Sequence, residues 1–188
     1  GLEAMYAVAS SQVTDKNEHS RLLEETLKTL EGARPARPTG NRLMLIGSEN
    51  DDTQFVKMVE SLGATIVVDD HCTGSRYIWE DVPDGGDRLT AIAQRYIRRV
   101  PCPTKDWPLR NRLPHILRLA KEYKVEGAIV LQQKFCDPHE LDTPAIKKLL
   151  EENGIPTLFL ELDVTVPVGQ FKIRVEAFLE MFQSEVLF

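Results

Sequence analysis

Four short runs that are apolar at nearly every position constrain this chain more than any other feature. They are RLMLIGS (42–48), ATIVVDD (64–70), VEGAIVLQQ (125–133) and IPTLFLELD (155–163). A strand with one wet face alternates polar and apolar residues. A strand that does not alternate is buried on both faces, and a sheet of such strands needs helices above and below it. The segments between the runs have helical spacing. DDTQFVKMVESLG (51–63) puts Phe55, Val59 and Leu62 on one stripe and ends on Gly63. In TPAIKKLLEENG, Thr143 suits an N-cap, Pro144 the first helical position and Gly154 the C-terminal cap. A final helix over roughly 169–183 carries Phe171, Val175, Phe178 and Phe182 as core residues.

About sixty residues separate the second and third runs, too many for an unstructured loop in a compact domain. The pattern predicts two helices there. One is DRLTAIAQRYIRR (87–99). The other is PLRNRLPHILRLAKEYK (108–124), with Leu109, Leu113, Ile116, Leu117 and Ala120 inward and a kink at Pro114. HSRLLEETLKTL near the start is also helical, and GARPARPTG reads as a linker. The expected organisation is an N-terminal helix and linker over 1–39, then an α/β domain over 40–188. That domain is a doubly wound, Rossmann- or flavodoxin-like parallel sheet of four strands with helices on both faces.

Composition narrows the function classes. The chain has 188 residues and a net charge of −6, with Lys and Arg interspersed among acids, which argues against a nucleic-acid partner. No run of 18 apolar residues exists and the first residues do not resemble a signal peptide, so the expectation is a cytoplasmic protein with no membrane partner. Cys72, Cys102 and Cys136 are odd in number and widely spaced, so they are free thiols or metal ligands rather than a disulfide framework.

Ligands of doubly wound sheets bind beyond the carboxyl ends of the strands, near the switch in strand order. Those ends deliver Gly47 and Ser48, Asp69 to Cys72, Gln132 to Cys136, and Glu161 to Asp163. Cys136 follows a strand and precedes Asp137-Pro138, where a helix can begin, and a helix N-terminus favours a thiolate. A thiolate suits soft metals; a lone cysteine is also often a small buried hydrophobe. Nucleotide fingerprints are absent, since the first run is followed by GSENDD. DDHCTGS resembles the D-x-H-x-x-G motif of cobalamin-binding domains, but it ends the second strand instead of the first and the partner motif is missing. Zinc spacings such as C-x-x-C are missing too; His139, three residues after Cys136, can be a second ligand, but more often such a residue is a helix-surface histidine.

Four longer segments carry a family resemblance: IVVDDHCTGSRY, RVPCPTKDW, QQKFCDPHELDTPAIKKLLEENGIPTLFLELD and VPVGQFKIRVEAFLE. Together they resemble the 2-hydroxyacyl-CoA dehydratases and benzoyl-CoA reductases from about residue 40 to 185. The resemblance implies an oxygen-sensitive, heteromeric enzyme in which an ATP-hydrolysing activator protein feeds electrons singly to a subunit carrying a 4Fe-4S cluster. An acyl-CoA thioester is reduced to a ketyl radical anion, followed by loss of a hydroxyl or by ring reduction. Family subunits are about twice this length, which implies a C-terminal half. Cys136 is then the cluster ligand, with Cys72 and Cys102 less favoured and the other ligands in an N-terminal half. An iron left open by three thiolates would take the thioester carbonyl. The isolated 188 residues are expected to be colourless and inert.

Softer roles attach to neighbouring residues. Gln133, with Gln132, can bond cluster sulfides or substrate, or cap the sheet. Ser75 and Arg76 can hold a phosphate or carboxylate of the substrate, unless Arg76 pairs with Asp69 or Asp70. Glu161 and Asp163 can relay protons or cap a helix. The CTGSRYIWEDVP and RYIRRVPCPTKDWP segments lean toward benzoyl-CoA reductase. A dehydratase subunit is the alternative, and a non-catalytic CoA-binding or subunit-assembly module is the reading from another class.

Overall fold

The computed structural model describes residues 2–33, 37–163 and 167–184. Part of the anticipated linker, 34–36, therefore lies outside the described residues. The elements in chain order are α1 (Leu2–Ser11), α2 (Lys16–Leu30), β1 (Asn41–Gly47), α3 (Thr53–Ser61), β2 (Ala64–Asp70) and α4 (Ser75–Ile78). Then come α5 (Arg88–Arg98), a 3-10 turn η1 (Pro103–Lys105), α6 (Arg112–Glu122), β3 (Gly127–Gln133), α7 (Asp137–Glu152), β4 (Thr157–Leu162) and α8 (Val168–Ser184).

The four strands form one parallel sheet in the order β2-β1-β3-β4. Burial on both faces follows from the strand composition. Leu43 and Leu45 point to one side, with Phe55 and Val59 of α3 and Phe171, Val175 and Phe178 of α8. Met44 and Ile46 point to the other, with Ile116 and Leu119 of α6 and Ile146 and Leu150 of α7. The chain winds outward from β1 in both directions, so the gap between β1 and β3 is the switch point, and the rim above it is where such sheets bind ligands. No helix among the described residues is long and apolar enough to cross a membrane.

Two predicted helices begin elsewhere than the pattern suggested. Thr143 is not an N-cap: α7 starts six residues earlier at Asp137, with Cys136 as its cap, Pro138 in the first turn and Pro144 inside the helix. Asp137-Pro138 offers the same start signal as Thr143-Pro144, and the earlier one prevails because the Cys136 carbonyl already accepts from the N–H groups of His139 and Glu140. α6 starts at Arg112 instead of 108, because Arg110 has a left-handed φ of 52° that no helix can include. Pro114 thus sits in the first turn, where its missing N–H costs nothing and no kink is needed. Leu109 falls outside the helix and is 77% exposed, while Arg112 and His115 take the inward face.

Candidate functional site

The carboxyl rim of β1, β2 and β3 is built from buried polar residues. Asp70 ends β2 and is fully buried between two arginines. Arg112 donates from Nε to Asp70 Oδ2 at 2.8 Å and its Nη2 lies 2.7 Å from the same oxygen; Nε of Arg76 lies 3.2 Å from Oδ1. Arg112 also reaches Asp142 on α7 at 3.4 Å, and Arg110 pairs with that carboxylate at 2.6 Å. Asp106 accepts the N–H groups of Asn111 and Arg112 at 2.8 Å each, which fixes the start of α6 and so the height at which Arg112 enters. β2, α4, α6 and α7 are thereby tied through charge at one end of the sheet.

The turn after β2 is held by Asp69. Its Oδ1 accepts from the N–H of His71 at 3.1 Å and of Ser75 at 3.0 Å. Burial raises the Asp69 carboxyl above its ordinary range, and the two N–H donors oppose this. A Cβ at Gly74 would lie 2.0 Å from Asp69 Oδ1 and 2.9 Å from its Cγ, and that carboxylate cannot yield without losing both bonds. Gly74→Ala is expected to destabilise the fold by about 1–3 kcal/mol, read from urea denaturation.

Two histidines sit inside this rim. His71 is fully buried against Gly47, where an added Cβ would stand 3.1 Å from its Nε2. His139 is buried at the start of α7, where a surface position was expected, with Nδ1 2.6 Å from the Gln132 side-chain oxygen. Burial drives both imidazoles down to about 3, with the Arg76 and Arg112 guanidiniums pushing the same way, so both rings are neutral. Both ring nitrogens of His71 and Nε2 of His139 are buried without a hydrogen-bond partner among the described residues.

The three cysteines are free and share this rim. Burial raises the Cys72 thiol, the Arg76 guanidinium opposes this from 3.3 Å, and the thiols of Cys102 and Cys136 raise it further. Burial also raises the Cys102 thiol, but hydrogen bonds with Thr104, 3.3 Å away through its hydroxyl, and the nearby arginines outweigh it and leave it lowered. Cys136 is half-buried at the N-terminus of the sixteen-residue α7, and its sulfur has no hydrogen-bond partner among the described residues. Among those residues no three His, Cys, Asp or Glu side chains converge as a metal site. Cys136 offers a thiol of the kind soft metals take, and the described residues do not arrange a complete ligand set around it.

The remaining residues singled out from sequence are dispersed. Arg76 is buried and engaged with Asp70 and the Gly47 carbonyl, the ion-pair alternative, and Ser75 is buried beside Asp69. Gln132 is buried under the rim, while half-buried Gln133 borders an acidic cavity of about 540 Å³ with Glu49, Asp51 and Asp52. Glu161 is exposed on the edge strand, and Asp163 pairs with Lys134 at 3.2 Å. Sequence reasoning missed a cavity of about 560 Å³ next to Cys136, lined by Trp107, Arg110, Asp137 and Leu141 among others. Trp107 is 75% exposed with the Arg110 guanidinium 5.4 Å from its ring centre, an available flat surface. The signal was a Trp-Pro pair in a polar loop, which nothing in the helical pattern needed for a core.

Known proteins share this sequence pattern over most of its length. Residues 1–182 match the family model described as 2-hydroxyglutaryl-CoA dehydratase, D-component. The chain is 31% identical to the (R)-phenyllactyl-CoA dehydratase beta subunit of Clostridium sporogenes, over 93% of this chain and 47% of the relative. It is 30% identical to the beta subunit of (R)-2-hydroxyglutaryl-CoA dehydratase of Acidaminococcus fermentans, over 88% of this chain and 45% of the relative. A benzoyl-CoA reductase subunit of Thauera aromatica is 24% identical over 74% of this chain and 37% of the relative. The chain spans about half the length of the curated dehydratase relatives it matches.

Proposed function

The chain belongs to the 2-hydroxyglutaryl-CoA dehydratase D-component family, and from that premise we propose that it forms part of a 2-hydroxyacyl-CoA dehydratase subunit. The observation that carries this is Cys136, a half-buried thiol without a hydrogen-bond partner among the described residues, capping α7 at the switch point within a family-matched chain. The lean toward benzoyl-CoA reductase gives way, since the dehydratase subunits are the more similar relatives over more of the chain. The dehydratase alternative takes its place.

In this reading Cys136 supplies one thiolate to a 4Fe-4S cluster, and the other ligands come from elsewhere in the assembly. When bound, that cluster supplies single low-potential electrons and a Lewis-acidic iron. This chain's own residues do the holding. Asp70, Arg76 and Arg112 lock β2 to α6 so that the rim does not shift, and buried neutral His71 and His139 keep it free of added charge. The cavity at Trp107 and Arg110 accommodates part of an acyl-CoA. The names of the relatives, beta subunits, support a partner subunit, and the family resemblance supports that this partner is a paralogue and that an ATP-hydrolysing activator serves the pair.

The test is anaerobic reconstitution of the complete subunit with iron and sulfide, comparing Cys136→Ser, Cys72→Ser and Cys102→Ser by iron content and by EPR after reduction. Iron is expected to be lost in Cys136→Ser alone, and the wild type, assembled with its partner subunit and activator, is expected to act on 2-hydroxyacyl-CoA esters in preference to benzoyl-CoA. Full iron in Cys136→Ser would leave the thiol a packing residue and favour a CoA-binding or assembly module.

A further inference from the structure

Gln132 is buried at the end of β3, and each hydrogen-bonding atom of its side chain is used. Nε2 donates to the Gln133 carbonyl at 2.8 Å and to the Cys136 carbonyl at 3.2 Å. Both partners can only accept, so the amide has one orientation, nitrogen toward the Cys136 loop and oxygen toward His139. That oxygen has no proton to give, so the 2.6 Å bond to His139 must be donated by Nδ1. The neutral ring is therefore the Nδ1–H tautomer.

The Cys136 carbonyl thus accepts from three donors: the Gln132 amide and, at 3.0 Å each, the backbone N–H groups of His139 and Glu140. This fixes the peptide plane after Cys136 and with it the direction in which the side chain leaves the loop. Phe135, just before it, is 90% exposed at a left-handed φ of 67°, so the loop is conformationally unfavourable and needs outside bonds to keep its shape. His139 is itself in the first turn of α7, and Thr143 one turn on donates its hydroxyl to the His139 carbonyl at 2.9 Å.

We propose that His139 is a positioning residue for Cys136: by holding the Gln132 amide in one orientation, it fixes the loop peptide that aims the thiol. The geometry stands on its own, and its purpose rests on the reading of Cys136 as a metal ligand. Ligands of metal sites are oriented by such outer partners, whose loss typically costs about 10–100-fold in metal affinity.

Two substitutions of His139 discriminate this role from simple burial. Asparagine places an amide where Nδ1 stood and keeps the donor; glutamine places it where Nε2 stood and loses the bond. In the 188-residue chain, His139→Gln and Gln132→Glu are expected to raise backbone hydrogen exchange at Cys136, His139 and Glu140 roughly ten-fold. Met44 and Leu45 in β1 should be unchanged, and His139→Asn should behave as wild type. Equal behaviour of the two His139 variants, or exchange rising equally in β1, would overturn the clamp. In the complete subunit, His139→Gln should lower cluster iron and His139→Asn should restore it. Iron lost in Cys136→Ser but retained in His139→Gln sinks the positioning role, whereas iron retained in Cys136→Ser sinks the ligand reading and leaves the exchange result to decide the clamp.

Discussion

Asp70→Asn is expected to destabilise the protein by about 3–5 kcal/mol, the cost of breaking a buried ion pair from one side. The change keeps the shape, removes the charge and turns one of the two oxygens that face Arg76 and Arg112 into an N–H donor. Fully buried Arg112 is then left with Asp142, 3.4 Å away, as its carboxylate partner, and Arg76 keeps the Gly47 carbonyl at 2.9 Å. Arg112→Met should cost less, because Asp70 retains Arg76 and Asp142 retains Arg110. The double variant should cost less than the sum of the singles, since removing both partners leaves no new unpaired charge between them. Urea denaturation of the three variants checks all of this. A loss below about 1 kcal/mol for Asp70→Asn would mean that water reaches the network.

Acid is expected to unfold the protein well above the range in which carboxylates titrate. His71 and His139 are held down to about 3 in the folded chain, against an ordinary value of ~6.5 once unfolded. As pH falls below ~6.5 the unfolded chain takes up protons that the folded chain refuses, so stability is lost progressively down to about 3 and is fully present above ~6.5. At pH 5 the two histidines together should remove roughly 4 kcal/mol relative to pH 7. Asp69 works the other way, since its raised carboxyl binds a proton more readily folded than unfolded, and it offsets part of the loss low in the window. The check is the denaturation midpoint between pH 7 and 5, in wild type and in a His71→Asn, His139→Asn double variant. The double variant should lose most of the pH dependence; an unchanged slope would place the acid sensitivity elsewhere.

Where sequence was a good guide, the physics was local. The strands show in Leu43–Ile46 and Ala128–Leu131 because burial on both faces leaves no polar alternation to read, and Gly63 and Gly154 mark helix ends because positive φ suits glycine. The rim was legible only as a list of strand ends. Arg112 stands four residues before Ile116 and seven before Leu119, on the apolar stripe itself, so the pattern held a signal. It could not be weighed from sequence, because what makes an arginine tolerable there is Asp70, 42 positions away. His139 misled for the same reason, since its partner Gln132 lies in the strand before its helix. Periodicity sees one element at a time, and the rim is made of bonds between elements.

The strand order also says something about how the molecule comes into being. β1 has β2 on one side soon after synthesis, but its other neighbour is β3, and the bond from the Arg42 backbone to Glu126 spans 84 positions. On a ribosome the central strand therefore waits with one hydrogen-bonding edge bare while the long β2–β3 connection emerges, and a bare apolar edge is a template for pairing with other chains. The hazard of this fold is concentrated in that interval. Conditions that slow translation between β2 and β3 should lower the yield of soluble protein more than the same delay after β4.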